Sequence, residues 1–431
     1  MKANMMSNYF SIFLSRLISG FSLIFLSFYI ANIFGVSDSG FFNLFWTVLM
    51  FFSILSKYGN DYLSLKKIGI YAKNKEEKSS TFFINRTVSF IILICIVVLL
   101  LYQSLSYLNF FDLFFDKKEK LAFSFAAYCI LPFTLVIFFA SILKGFQSKS
   151  AAYILDQGGI ALSLLLLVFL CEFNIYTDLP YFFWIGSSII LVFLFVNIQS
   201  HYSKIFNTSW SFKLYLNKIK DSFRDANSYF FLTFSDFILY WSPIIFISFF
   251  NNLFETGVYS NILRLSQIIV FFMAIINTLL APKLAAELNK KTIDNYKLKE
   301  ILQYSIRYNI YIGVVIFLFI ILVTPLILNF INIDLYKYIW VIVFLYLAQL
   351  IKLLNGPTIY FLTMSSNGDV LSYKLARLSL IVSMLLIPFL TSIFGIIGAG
   401  ISFFLVTLIL NLYAAYQLKR NFNILIFSLL R

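Results

Sequence analysis

The chain is short of charge, of histidine and of any signature for bond-making chemistry. Only 12% of its 431 residues are charged, and a single histidine, His201, lies in a basic stretch. One imidazole leaves zinc chemistry and histidine-based catalysis without a second group to work with. Cys95, Cys129 and Cys171 fall in apolar segments without CxxC spacing. They read as small buried apolar residues rather than disulfides or metal ligands. No glycine-rich phosphate loop, Walker pair, DxD, HExxH or Ser-His-Asp set occurs. These absences argue against ATP-driven transport by this chain alone and against an enzyme, and no metal or cofactor is expected.

What is abundant is apolar. Hydrophobic residues make up 61% of the chain and aromatics 20%, whereas an average soluble domain is about half apolar and a quarter charged. Apolar runs recur at about twenty residues, the length that crosses ~30 Å of hydrocarbon at ~1.5 Å per residue. The period-two alternation of a transmembrane barrel is missing. The pattern predicts an all-α polytopic membrane protein with twelve spans, near 9–33, 40–56, 84–107, 121–144, 151–171, 181–199, 227–250, 258–280, 308–330, 337–361, 370–391 and 395–418. The first is too long for a signal-peptide core and lacks a small-x-small cleavage site, so it is expected to be retained.

The net charge of +14 gathers in alternate loops. Lys57, Lys66, Lys67, Lys73, Lys75 and Lys78 separate the second and third spans. Lys204, Lys213, Lys218, Lys220 and Arg224 separate the sixth and seventh. Lys283, Lys290, Lys291, Lys297, Lys299 and Arg307 separate the eighth and ninth. The other loops are short and hold few cations. The positive-inside rule then puts both termini in the cytoplasm, and topology explains the charge without nucleic acid. Residues 1–200 and 227–419 are expected to be two six-helix bundles, joined by a basic cytoplasmic linker at 201–226. Residues 420–431 are expected to be a cytoplasmic tail.

A repeat supports two similar halves. Asp38-Ser39-Gly40-Phe41-Phe42 and Glu255-Thr256-Gly257-Val258-Tyr259 share an acid-hydroxyl-Gly-apolar-aromatic pattern, and each leads into an apolar helix.

The spans carry seven ionisable groups: Arg16, Asp156, Asp236, Arg264, Lys352, Lys374 and Arg377. Each costs ~2.5–3.5 kcal/mol to insert at mid-helix. Asp156, Lys374 and Arg377 lie near span ends, where the cations can snorkel and the acid can reach interfacial water. Arg16, Asp236, Arg264 and Lys352 lie deeper and have polar flanks. Ser11, Ser15, Ser19 and Ser22 accompany Arg16, and Ser228, Ser235 and Ser242 accompany Asp236. Asn261 and Gln267 flank Arg264, and Gln349 and Asn355 flank Lys352 just before Gly356-Pro357. Such stripes face another helix or a watery cavity rather than lipid. Five cations against two acids suit an anionic substrate, with arginine matched to phosphate oxygens. Arg16, Arg264, Lys352, Lys374 and Arg377 are therefore the candidate substrate-binding residues. Asp156 and Asp236 either pair with these cations or carry a coupling proton or ion.

The Gly-x-x-Asp-x-Gly-Phe-Phe pattern at 35–42, KYGND at 57–61, ETGVYSNILRL at 255–265 and LLAPKLAAELNKK at 279–291 carry a family likeness. The chain resembles the Wzx-type polysaccharide (O-antigen) repeat-unit flippases of the multidrug/oligosaccharidyl-lipid/polysaccharide exporter superfamily. The resemblance implies two pseudo-symmetric six-helix bundles around a central cavity. It also implies an undecaprenyl-pyrophosphate-linked oligosaccharide as substrate, moved by alternating access across a bacterial inner membrane with coupling to protons or ions. By span and face, the family's cavity cations fall on Arg16, Arg264 and Lys352. An O-antigen polymerase and a chain-length regulator are the partners it implies. Three rivals stay open: a multidrug exporter, a lipid-linked peptidoglycan-precursor exporter, and a membrane-embedded O-antigen polymerase or ligase. The last usually carries a large outer loop bearing arginines, and none is expected here. Tyr229, Tyr240 and Trp241 offer rings for sugars, although core packing explains them equally well.

Overall fold

The computed structural model describes residues 2–74, 76–146, 151–201, 219–288, 295–364, 368–422 and 424, and their regular structure is helical throughout. In chain order the helices are α1 (Lys2–Ile33), α2 (Val36–Lys57), α3 (Asn60–Asn74), α4 (Glu77–Tyr107), α5 (Lys117–Gly145), α6 (Ala151–Ile154) and α7 (Gln157–Leu170). There follow α8 (Leu179–His201), α9 (Ile219–Phe250), α10 (Leu253–Leu288), α11 (Asn295–Phe330), α12 (Ile339–Asn355), α13 (Thr358–Met364) and α14 (Gly368–Phe422). A single 3-10 turn, Phe110–Leu113, joins α4 to α5.

The protein is an all-α multi-pass membrane protein, but the expectation of twelve membrane-length spans in two six-helix bundles is wrong. Among the described residues, eight helices are long and apolar enough to cross a membrane: Leu14–Ile33, Val36–Lys57, Glu77–Tyr107, Lys117–Gly145, Leu179–Gln199, Lys220–Phe250, Leu302–Phe330 and Val370–Phe422. The expected fifth span is cut at Asp156, which caps a new helix and leaves α7 only 14 residues long. The expected tenth ends after the 17 residues of α12, where Gly356 takes φ 57° ahead of Pro357. Few residues but glycine adopt that φ without strain. The expected eleventh and twelfth fall within α14, where two helices meet at a kink, with non-helical backbone at Gly395 (φ 55°, ψ −137°). The expected eighth, 258–280, runs past the described side chains, and most of the expected linker and tail (202–218 and 425–431) lies outside the described residues.

α3 forms where a loop was expected. Its Leu63, Ser64 and Ile68 share a buried face that packs on α5, the i, i+4 spacing of an amphipathic helix. The three cysteines are free, with Cys95 and Cys129 buried but Cys171 exposed at the end of α7.

Two compact units divide the chain, residues 1–30 with 41–233 and residues 31–40 with 234–431. In the first, Trp46 of α2 packs against Phe133 of α5 and Phe183 of α8, with ring centroids 5.5 and 6.2 Å apart. The serine face of α1 is a helix interface here. Ser22 Oγ donates to the carbonyl of Gly158 at 3.1 Å, and a Cβ on Gly158 would lie 2.0 Å from Ser19 Oγ. In the second unit, Leu302, Ile306, Phe361, Leu371 and Leu418 form one core that joins α11, α13 and α14.

The two repeated turns meet inside the second unit. A Cβ on Gly40 would lie 1.9 Å from the Leu253 carbonyl, and one on Gly257 would lie 2.1 Å from the Val36 carbonyl. Ser39 Oγ accepts from Asn261 Nδ2 at 3.0 Å beside them. The start of α2 and the start of α10 therefore touch backbone to backbone, which only glycine permits. Gly40→Val or Gly257→Val should lower stability by more than the ~1–3 kcal/mol of ordinary overpacking, because the atoms struck are backbone. Thermal unfolding in detergent checks this, with Ser39→Ala as a milder comparison. Unchanged melting of both valine variants would contradict the close approach.

Candidate functional site

Asp236 and Tyr240 stand one helical turn apart on α9, so they share a face. Trp241 follows, and Pro243 lies within the helix just beyond. Against this segment α12 presents its polar stripe, and each member reaches a different helix. Gln349 Nε2 donates to Ser266 Oγ of α10 at 3.2 Å. Lys352 Nζ donates to the Tyr240 hydroxyl of α9 at 2.7 Å. Asn355 Nδ2 donates to Asn411 Oδ1 of α14 at 2.7 Å. The stripe is a packed face within the second unit.

Lys352 sits in an aromatic corner. Its ammonium lies 4.2 Å from the Tyr240 ring centroid and 4.8 Å from that of Phe403. Ring faces and a hydroxyl offset part of the cost of taking an ammonium out of water. Asp236 adds an opposite charge that acts on the lysine. Arg264, 3% exposed on α10, approaches the same segment, with its guanidinium 5.8 Å from the Trp241 ring. Asp236 itself is exposed. A carboxylate within a span does not tolerate hydrocarbon, so its open side calls for water or a polar ligand.

Two cations and one carboxylate thus converge on Asp236-Tyr240-Trp241, and the cluster stays cationic. Lysine supplies a compact charge and arginine a planar fork of donors, the pair that recognises phosphate oxygens.

The other expected residues lie elsewhere. Arg16, half-buried in the first unit, holds its guanidinium 4.7 Å from the Tyr153 ring. Lys144 approaches that ring at 5.4 Å and pairs with Asp156. Asp156 also accepts from the Gln157 amide at 2.8 Å, capping α7. Its carboxylate is committed to a pair and a cap. Lys374 and Arg377 are exposed on the opening turns of α14 and are not drawn into the cluster. Sequence reasoning missed Phe403 and Tyr153. Phe403 is one ring in an unbroken apolar run, whereas Tyr153 stands three residues before Asp156, a spacing that could have flagged it. No group of three or more His, Cys, Asp or Glu able to hold a metal occurs among the described residues.

Comparison with known proteins bears on the family and the fold. A family model described as "Polysaccharide biosynthesis protein" matches residues 5–286. Curated protein sequences give no match. Among solved structures, the Lipid II flippase MurJ in an inward closed conformation aligns with TM-score 0.70 at 16% identity, over 95% of this chain and 87% of that one. The MATE multidrug transporter DinF-BH aligns at 0.65 and 14%, over 98% and 96%. A MOP superfamily transporter from Pyrococcus furiosus, described as having a binding pocket of reverse polarity, aligns at 0.57 and 14%, over 96% and 95%. The chain has the fold of these transporters.

The Lys144–Asp156 pair makes a separate prediction. Replacing either residue by alanine leaves the other part-buried and unpaired, so each single variant should destabilise more than half as much as the double variant. The coupling should fall within the ~0.5–3 kcal/mol typical of contacting pairs. Detergent unfolding of the four proteins measures it, and additive effects would mean the pair contributes nothing.

Proposed function

The chain belongs to the polysaccharide biosynthesis protein family, and from that premise we propose that it is a lipid-linked oligosaccharide flippase. Its substrate is an undecaprenyl-pyrophosphate-linked repeat unit, an O-antigen unit first, moved from the cytoplasmic to the periplasmic leaflet of a bacterial inner membrane. The observation that carries the reading is the convergence of Lys352 and Arg264 on the Tyr240-Trp241 segment. A pyrophosphate does not cross hydrocarbon unaided, and a cationic cluster between apolar helices lowers that barrier. The prenyl tail stays in the bilayer while the head passes. Rings beside the cations, Tyr240 and Trp241, suit the faces of sugars.

The remaining residues take subsidiary parts in this account. The lysine-rich loops put both termini in the cytoplasm. Lys374 and Arg377, exposed near the start of α14, meet the head group on approach, and Arg16 of the first unit is a further candidate contact for the anion. Asp236, open and opposed to Lys352, is the better candidate for proton or ion coupling, because Asp156 is already committed to Lys144 and the α7 cap. The role is transport rather than catalysis, and a polymerase with its chain-length regulator would receive the product.

A second reading is favoured by the solved-structure matches, which include a Lipid II flippase and multidrug transporters. On that reading the same fold exports a lipid-linked peptidoglycan precursor or a drug. Both proposed substrate lipids are anionic, so the cluster suits either of them, whereas a cationic drug suits it poorly.

Surface glycan display in a bacterium lacking its own flippase tests the proposal. The chain should restore the polymer, and Arg264→Ala or Lys352→Ala at equal membrane abundance should cut it about tenfold, a loss of ~1.4 kcal/mol. Arg264→Lys should be milder. Full display by both alanine variants would remove the cluster from the site. No display with any repeat unit, together with rescue of a strain lacking its peptidoglycan-precursor flippase, would move the second reading ahead.

A further inference from the structure

A second cationic cluster lies in the first unit, where α3, α4 and the opening turns of α9 meet. Lys67 of α3 reaches Asp225 of α9 at 2.8 Å. Arg86 of α4 stands 3.7 Å from the same carboxylate, and Arg224 3.8 Å from its other oxygen. Arg224 is largely exposed and also pairs with Asp221 at 3.3 Å, so Lys67 and Arg86 are the two cations left to share Asp225. Lys67 and Arg86 also flank one ring, Phe83, at 5.2 and 5.4 Å. The nearby Lys57–Asp61 pair, 2.8 Å apart, neutralises itself and does not relieve the imbalance.

Arg86 is the telling member. Its side chain is 9% exposed, and Nε and Nη2 donate no hydrogen bond among the described residues. A buried guanidinium with unmet donors is costly, and the 3.7 Å separation is too long for a hydrogen bond to Asp225. A single carboxylate cannot reach both cations well. A phosphate or diphosphate, with more charge and more acceptor oxygens, can.

We infer that Lys67 and Arg86 form a binding site for the diphosphate group of the lipid-linked substrate, and that Asp225 holds this site as an internal stand-in for that anion. The inference rests on the transport reading above. Diphosphate binding displaces Asp225 and so loosens the opening turns of α9. Those turns are otherwise held by Tyr58, which donates to Asn227 Oδ1 at 2.9 Å and stacks on Phe230 at 4.2 Å. Gly59 adds a close approach, since a Cβ there would meet the Phe230 amide nitrogen at 2.4 Å. The site is thus a receptor for the head group whose occupation frees a helix that runs on to Asp236 and Tyr240.

Cysteines at Tyr62 and Tyr229, whose rings stack at 6.5 Å, report the displacement. The full chain, with its three native cysteines replaced by alanine, is placed in phosphatidylcholine nanodiscs, and the disulfide crosslinking rate is followed. Polyprenyl diphosphate should slow crosslinking by at least about threefold, a modest population shift, and polyprenyl alcohol should not. Asp225→Asn should be slow without ligand, and Lys67→Gln should lose the response. Lys67 is only part-buried, so that variant stays informative if Arg86→Gln fails to fold. No slowing, equal slowing by the alcohol, a normal rate in Asp225→Asn or a full response in Lys67→Gln would each overturn the site. Equal slowing by phosphatidylglycerol would make a membrane lipid the occupant and overturn the substrate assignment. If the chain displays glycan while crosslinking ignores diphosphate, this site falls and the transport reading stands. If crosslinking responds but no glycan is displayed, the transport reading falls and the anion site stands.

Discussion

An ionised group inside an apolar helix must be met by another group, and the functional geometry of this protein follows from that constraint. Water cannot do the work within a span, so the cations of the candidate site and of the Lys144–Asp156 pair are met by protein. Lys352 is met by a tyrosine hydroxyl, two ring faces and a distant carboxylate. Arg264 is met by an indole, and Lys144 by Asp156. The difference lies in the balance of charge. Asp156 is fully used by an ion pair and a helix cap, whereas the Asp236–Lys352–Arg264 cluster has more positive than negative charge. The surplus is what an anionic substrate would meet.

Small residues do the complementary work of bringing helices close enough for those partners to reach each other. Gly40 and Gly257 let two helix starts touch through their backbones, Gly158 accepts the serine face of α1, and Gly59 admits the α9 backbone. Membrane helices gain little from hydrophobic burial against one another, so close backbone approach and hydroxyl bonds carry a larger share of the association. The cores of the two units supply the rest through aromatic and aliphatic packing.

Composition and hydropathy made the all-α membrane class legible, because they depend only on how many apolar residues follow one another. The span count was not legible, because it turns on single residues whose effect is tertiary. Asp156 reads as an ionisable group in a span but acts as a cap that ends one helix and starts another. Gly395 sets the kink between the two helices of α14 with a backbone angle that no local pattern announces. The KYGND motif was visible, but its part in holding α9 depends on left-handed geometry at Tyr58 and Gly59 that no local pattern announces. At the candidate site, the polar flanks of Lys352 were readable as a stripe, while its aromatic corner needs Phe403 from a distant helix. The serine stripe of α1, read as open to either a cavity or an interface, is an interface.

The central claim is that the second unit reads an anion. Equilibrium binding of polyprenyl diphosphate to the purified chain, beside polyprenyl alcohol and a lipophilic cation, tests it most directly. The account predicts that the diphosphate binds, that affinity falls about tenfold in Lys352→Gln, a change of ~1.4 kcal/mol, and that the alcohol and the cation bind weakly. Equal binding of alcohol and diphosphate, or preference for the cation with no effect of Lys352→Gln, would contradict it.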